Sequence, residues 1–264
     1  MSFKNIVKFA APAALLSLLP TITQAAGHAS KNLDSSDFVG MSFWIISAAM
    51  VAATYFFYVE RDRAVGKWKT SLTVAAMVTG IAAIHYFYMR EVWVGTGESP
   101  IVFRYVDWLL TVPLQIVEFY LILAAIAVVA ASVFWRLLIA SLVMLIAGYL
   151  GEVNSADSST LWVCFIIGMA GWIYIIYEIF SGEASKISAS EGTAASKTAF
   201  NALRMIVTVG WAIYPIGYVW GYAGGGSPEA LNIIYNLADF LNKIAFGVVI
   251  WVAATSPESN KPVS

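Results

Sequence analysis

Along most of its length the chain keeps its apolar positions together in long runs, and its polar positions fall into short interruptions between them. Seven runs of about 20 residues, at 38–59, 68–89, 101–125, 130–150, 161–180, 200–222 and 231–254, are each long enough to cross a ~30 Å hydrocarbon core. Backbone groups in lipid must be satisfied internally, and these runs lack the alternation of a barrel strand, so each is expected to be a helix. The connectors are short except for 181–199, whose Ser, Ala, Gly and Lys content reads as a flexible loop. The expected fold is an all-α membrane protein, a seven-transmembrane-helix bundle within residues 27–264.

A shorter apolar stretch comes first. Lys4 and Lys8, an apolar segment at 10–19 and the small residues Thr23, Ala25 and Ala26 read as a signal peptide over residues 1–26, cleaved near Ala26 or Gly27. Pro12 and Pro20 interrupt it, and an uncleaved amphipathic tail is the alternative. Cations set the orientation. Arg61, Arg63, Lys67, Lys69, Arg136, Lys186, Lys197, Arg204 and Lys261 fall on one side and only Lys31 and Arg90 on the other, so the amino end is expected outside and the carboxyl end in the cytoplasm.

Composition agrees: 60% of residues are hydrophobic and 12% charged, outside the range of soluble domains. A net charge of -1 without a basic cluster excludes nucleic acid as a partner. The single Cys164 cannot form an intrachain disulfide, and one cysteine with His28 and His85 makes no zinc set. Gly224 to Gly226 lack the Lys and Ser or Thr of a phosphate loop.

The buried polar groups narrow the function. Lys243 lies in the middle of the seventh run with Asp239 four residues before it, about 6 Å away on the same helix face. In the third run Asp107, Thr111 and Glu118 share a face, Glu118 standing ~16 Å from Asp107 toward the cytoplasm, with Arg104 one turn to the outer side. Lys243 and Arg104 balance Asp107 and Asp239, so this cluster can stay ionised; Glu118 has no cation within a turn, and burial favours its neutral form as a proton reservoir. An aspartyl protease dyad is disfavoured, because Lys243 would suppress the shared proton.

Three stretches, RYVDWLLTVP from Arg104, WAIYPIGY from Trp211 and YNLADFLNK ending at Lys243, carry a resemblance that extends over all seven segments. The chain resembles the microbial rhodopsins, and within them the proteorhodopsins of blue-absorbing type. That resemblance implies a light-driven outward proton pump of the bacterial inner membrane, a transporter rather than an enzyme, with all-trans retinal bound covalently to Lys243 as a protonated Schiff base in the bundle core. It implies Asp107 as proton acceptor, Asp239 as second counter-ion, Arg104 as outer gate and Glu118 as cytoplasmic donor. Related sodium and chloride pumps carry other residues at the positions of Asp107, Thr111 and Glu118, so this set favours protons.

By the same resemblance Trp108, Trp211, Tyr214 and Pro215 clamp the polyene, His85 hydrogen-bonds Asp107 and tunes it, and Gln115 sets the colour toward blue. Met144 is a further candidate for the pocket wall. Gly168 matches a position that opens a side window in antenna-binding relatives, which suggests a carotenoid; relatives form pentamers or hexamers in membrane lipid. A photosensor signalling through a partner and a light-gated channel are the alternatives. Glu118 favours the pump, since a sensor gains nothing from fast reprotonation.

Overall fold

A computed structural model describes residues 34–257. The expected signal peptide lies outside the described residues, as do Lys31 and Lys261 of the orientation count. Among the described residues the chain is helical and has no strand. The helices are α1 Phe38–Glu60, α2 Gly66–Thr96, α3 Ile101–Ala124, α4 Ala131–Val153, α5 Ser158–Phe180, α6 Glu183–Glu191, α7 Ala194–Met205, α8 Ile213–Ala223 and α9 Pro228–Ala254. A π-helical turn, Ile206–Gly210, joins α7 to α8, and the two form one span, Ala194–Ala223. Among the described residues, seven helical spans are long and apolar enough to cross a membrane.

Local chemistry sets several helix ends. Asp37 caps α1 by accepting from the Gly40 N–H at 2.8 Å, and the same carboxylate oxygen accepts from Trp93 Nε1 at 3.1 Å, tying the start of α1 to the end of α2. Gly97 ends α2 in the left-handed conformation (φ 71°), its N–H bonded to the Trp93 carbonyl. Ser227 caps α9, and Pro228 follows where a missing N–H costs nothing. Lys67 reaches across to the Ala124 carbonyl at the end of α3.

Each helix from α1 to α5 packs on the next, and α9 closes the ring against α1, α2, α7 and α8. Helices α4 and α5 approach closely: a Cβ added at Gly171 would lie 2.8 Å from the Ala140 carbonyl oxygen. The distribution of polarity is inverted relative to a soluble protein. Ile45, Ile166 and Ile216 are about two-thirds exposed (66%, 66% and 67%), while Asp107, Thr111, Glu118 and Asp239 have no exposure at all (0% each). Such an apolar exterior belongs in lipid.

The connector expected as a loop at 181–199 is different: most of it is helical, in α6 and the first turns of α7. Thr193 supplies the cap of α7, its hydroxyl accepting from the Ser196 N–H. Arg136 on α4 bridges Glu178 at 3.2 Å and Glu183 at 2.7 Å, and Glu178 also accepts from the Ala184 N–H, which fixes α6 against the bundle. The small residues Ala184 and Ser188 are buried there, so a composition suited to a linker instead lets a short helix lie close to its neighbours.

Candidate functional site

Lys243 is buried at mid-helix in α9, and its amine is held by two carboxylates. Nζ lies 2.5 Å from Asp107 Oδ2 on α3 and 3.0 Å from Asp239 Oδ2, one turn back on its own helix. Removing one partner from a buried ion pair costs about 3–5 kcal/mol, so each member fixes the others.

The two carboxylates are satisfied very differently. Asp239 accepts from Tyr86 Oη at 2.8 Å, Tyr214 Oη at 2.6 Å, Trp108 Nε1 at 3.1 Å and Lys243. Four donors from four helices occupy its lone pairs. Asp107 holds the lysine through Oδ2 alone; Oδ1 has no hydrogen-bond partner among the described residues. His85 comes within 3.6 Å of that oxygen through Nδ1, but the same nitrogen is bonded to the Ile81 carbonyl at 3.0 Å. The structure therefore puts His85 beside Asp107 without the hydrogen bond expected between them, because the i−4 carbonyl of its own helix takes the shared nitrogen. Thr111 donates to the Asp107 backbone carbonyl at 2.9 Å, on the face given by helix arithmetic.

Arg104 is buried one turn before Asp107 on α3 but makes no ion pair with it among the described residues. One of its nitrogens, Nη2, donates instead to Asn232 Oδ1 at 2.8 Å and Asn236 Oδ1 at 3.1 Å, and its guanidinium lies 5.4 Å from the centre of the Tyr235 ring. Lys243 already neutralises Asp107, and two amide oxygens one turn apart on α9 suit the flat guanidinium better than a shared carboxylate. Asn232 and Asn236 were not singled out from the sequence; their partner lies on another helix.

Beside the amine lies a cavity of about 790 Å³ of space unfilled by protein atoms. Trp108, Gln115, Met144, Trp211, Tyr214 and Pro215, all expected as pocket residues, line it together with Lys243 and Asp239. Gly168 is in the same wall. Val112, Leu145, Met169 and Trp172 also line it, and as apolar residues among many they carried no separate signal in the sequence. Gln115 reaches the Asn242 carbonyl at 3.5 Å. A slot with flat aromatic walls that ends on a buried amine fits a rigid, conjugated aldehyde such as retinal.

The π turn contributes to this wall. Widening the helix leaves two carbonyls for neighbours: Val207 accepts from Trp172 Nε1 at 2.9 Å, and Gly210 from Asn242 Nδ2 at 3.0 Å. The break in the helix is thus tied to α5 and to α9 immediately before Trp211.

Glu118 is elsewhere. It lies three turns along α3 from Asp107, fully buried, and neither carboxyl oxygen has a hydrogen-bond partner among the described residues, Ser71 being its polar neighbour. A buried apolar cluster that includes Ile122, Phe200 and Leu203 packs around this end of the bundle.

Seven membrane helices around a lysine flanked by two aspartates, beside an aromatic slot, define a retinal-protein architecture in outline. The family model described as bacteriorhodopsin-like protein matches residues 37–256, and the chain belongs to that family. It is 57% identical over 245 residues to the blue-light absorbing proteorhodopsin of Gamma-proteobacterium Hot 75m4, covering 92% of this chain and 94% of that protein. The green-light absorbing proteorhodopsin of Gamma-proteobacterium EBAC31A08 is 54% identical over 244 residues, with 92% and 95% covered. Among solved structures, blue light-absorbing proteorhodopsin from Med12 superimposes with a TM-score of 0.71 at 59% identity, covering 83% of this chain and 98% of that one. Xanthorhodopsin, described as a light-driven ion pump with dual chromophore, gives 0.72 at 28% identity, covering 82% and 92%.

Proposed function

We propose that the protein is a light-driven proton pump that carries protons outward across a bacterial inner membrane, with all-trans retinal bound covalently to Lys243. The relatives' names and the fit of the cavity support this reading. When bound, retinal supplies light absorption and a double bond whose rotation changes the surroundings of the lysine nitrogen. The observation that carries the reading is the contrast at the amine: Asp239 is saturated with donors, while Asp107 has an oxygen to spare.

A carboxylate saturated with donors stays an anion, because each hydrogen bond stabilises its charge. Asp239 is the fixed counter-ion. Asp107 is the group able to receive a proton from the Lys243 nitrogen, at 2.5 Å. Glu118, in a dry apolar region without a cation, rests as the neutral acid and returns a proton to that nitrogen from the opposite side. Directed transport follows from having acceptor and donor on opposite sides of one nitrogen. Arg104, on its asparagine cradle, provides a positive charge on the outer side that favours release outward and opposes return. His85 stands beside Asp107, close enough to influence it as acceptor.

The amino end faces outside in this proposal, after removal of a signal peptide, and the protein assembles as a pentamer or hexamer in lipid. A carotenoid antenna is proposed to approach at Gly168, which lines the cavity. Gln115 beside the polyene places absorption in the blue.

Membranes of cells expressing the protein with all-trans retinal should acidify the medium on illumination, and a protonophore should abolish the signal. A photocurrent that reverses with voltage would show a channel; absence of any acidification with an intact photocycle would show a sensor.

A further inference from the structure

The cavity contains a second carboxyl for which proton transfer between Asp107 and Glu118 gives no role. Glu152 stands in the last turn of α4, is buried, and lines the same cavity as Lys243. Among the described residues it forms no ion pair with Lys or Arg. Its Oε1 accepts a hydrogen bond from Tyr105 Oη at 3.1 Å. The other groups facing it are Tyr222 and Tyr218 on α8, Tyr235 on α9 and, acting through space, Arg104 on α3; α5 contributes Cys164, beside Gly151 and Tyr218.

Its position across the bundle gives the carboxyl a use. Helix α9 packs on α1, α2, α7 and α8, whereas α4 packs on α3 and α5. The cavity therefore crosses the bundle from the Lys243 side to the Glu152 side. Neither Lys243 nor its two aspartates are among the groups that act on Glu152. One residue beyond it, Val153 and Asn154 begin the exposed turn to α5, so a proton has a short route between the carboxyl and outer water.

We propose that Glu152 is a proton-exchanging colour switch at the end of the cavity remote from Lys243, acting independently of Asp107; this rests on the retinal reading given above. The linked nitrogen carries the positive charge in the ground state, and excitation moves that charge toward the far end of the polyene. A carboxylate at the nitrogen end favours the ground state and widens the gap. One at the Glu152 end favours the excited state and narrows it. Loss of a proton from Glu152 to outer water thus shifts absorption to longer wavelength, opposite in sign to ionisation of Asp107.

The test uses the full chain in lipid. Infrared spectra of the protein before retinal is added should show a protonated-carboxyl C=O band, sensitive to deuterium oxide, that is lost at alkaline pH and missing in Glu152→Gln. After retinal is added, an alkaline shift to longer wavelength should occur in Asp107→Asn, which lacks the opposite shift from Asp107, and be absent when Glu152→Gln is added to that variant. A shift that persists in the double variant, or a wild type whose carbonyl spectrum equals that of Glu152→Gln, overturns the proposal. Should Glu152→Gln fail to fold, Tyr105→Phe keeps the acid and deletes its hydrogen bond; an unmoved C=O frequency and alkaline midpoint in that variant overturn it too. Wild-type protein that stays colourless with retinal overturns the retinal reading and the colour half of this proposal, while the carbonyl band of the same sample still decides whether Glu152 exchanges a proton.

Discussion

The two halves of α3 hold acids of the same chemistry in opposite surroundings. In the first half Asp107 lies in a dense polar cluster with Lys243, Asp239, His85 and Thr111, and Arg104 on its asparagines beyond. In the second half Glu118 is fully buried and has no hydrogen-bond partner among the described residues. The difference teaches that a buried acid's duty is set by what surrounds it. A charge is kept where cations and donors compensate it, and a proton is kept where nothing does.

The largest effect should come from Lys243→Ala, which removes the amine that both halves serve: no visible band should form with retinal, and any band would end the retinal reading. Asp239→Ala should come next, destabilising the cluster by about 3–5 kcal/mol because it leaves one buried positive charge unmatched; denaturation of the apoprotein measures it. Exchanging the two acids for their amides should then separate the halves kinetically. Asp107→Asn should lower light-driven acidification by at least ~10²-fold, whereas Glu118→Gln should leave the colour in place and slow recovery of the dark state by ~10²-fold. With the internal donor gone, the proton comes from the medium, so that recovery should slow about tenfold for each unit of rising pH. A pH-independent rate in Glu118→Gln would remove Glu118 from the donor role.

Smaller effects sharpen the Asp107 half. Asn236→Ala takes one acceptor from the Arg104 guanidinium and should cost about 1.5–3 kcal/mol, read again by denaturation. Gln115→Leu should leave stability nearly unchanged and move absorption to longer wavelength; a shift in the other direction would contradict its tuning role.

Much of the fold was legible because lipid allows so few solutions. Each apolar run longer than the hydrocarbon core had to be a helix, and the seven expected spans match the seven found to within a few residues, except where α2 runs on to Thr96, the fifth span runs on to Glu191 and the sixth starts earlier. The short helix α6 escaped notice since its hold on the bundle is made by Arg136, Glu178 and Glu183 from distant parts of the chain. Lys243 with Asp239, and Asp107 with Thr111, were visible for the opposite reason: their spacing lies within single helices. What joins helices, such as Tyr86 on Asp239 or Asn232 on Arg104, has no periodic signature. The resemblance to a known family named the aromatic clamp and the lysine end of the cavity wall, but it did not indicate Glu152.

The π turn at Ile206–Gly210 has a geometric consequence for everything that follows it. One extra residue in a turn advances the phase of the later helix by about 100°. Trp211, Tyr214 and Pro215 point inward only with that advance in place. Were the same sequence wound as an unbroken α-helix, three walls of the slot would roll away from Lys243 while the span stayed just as apolar.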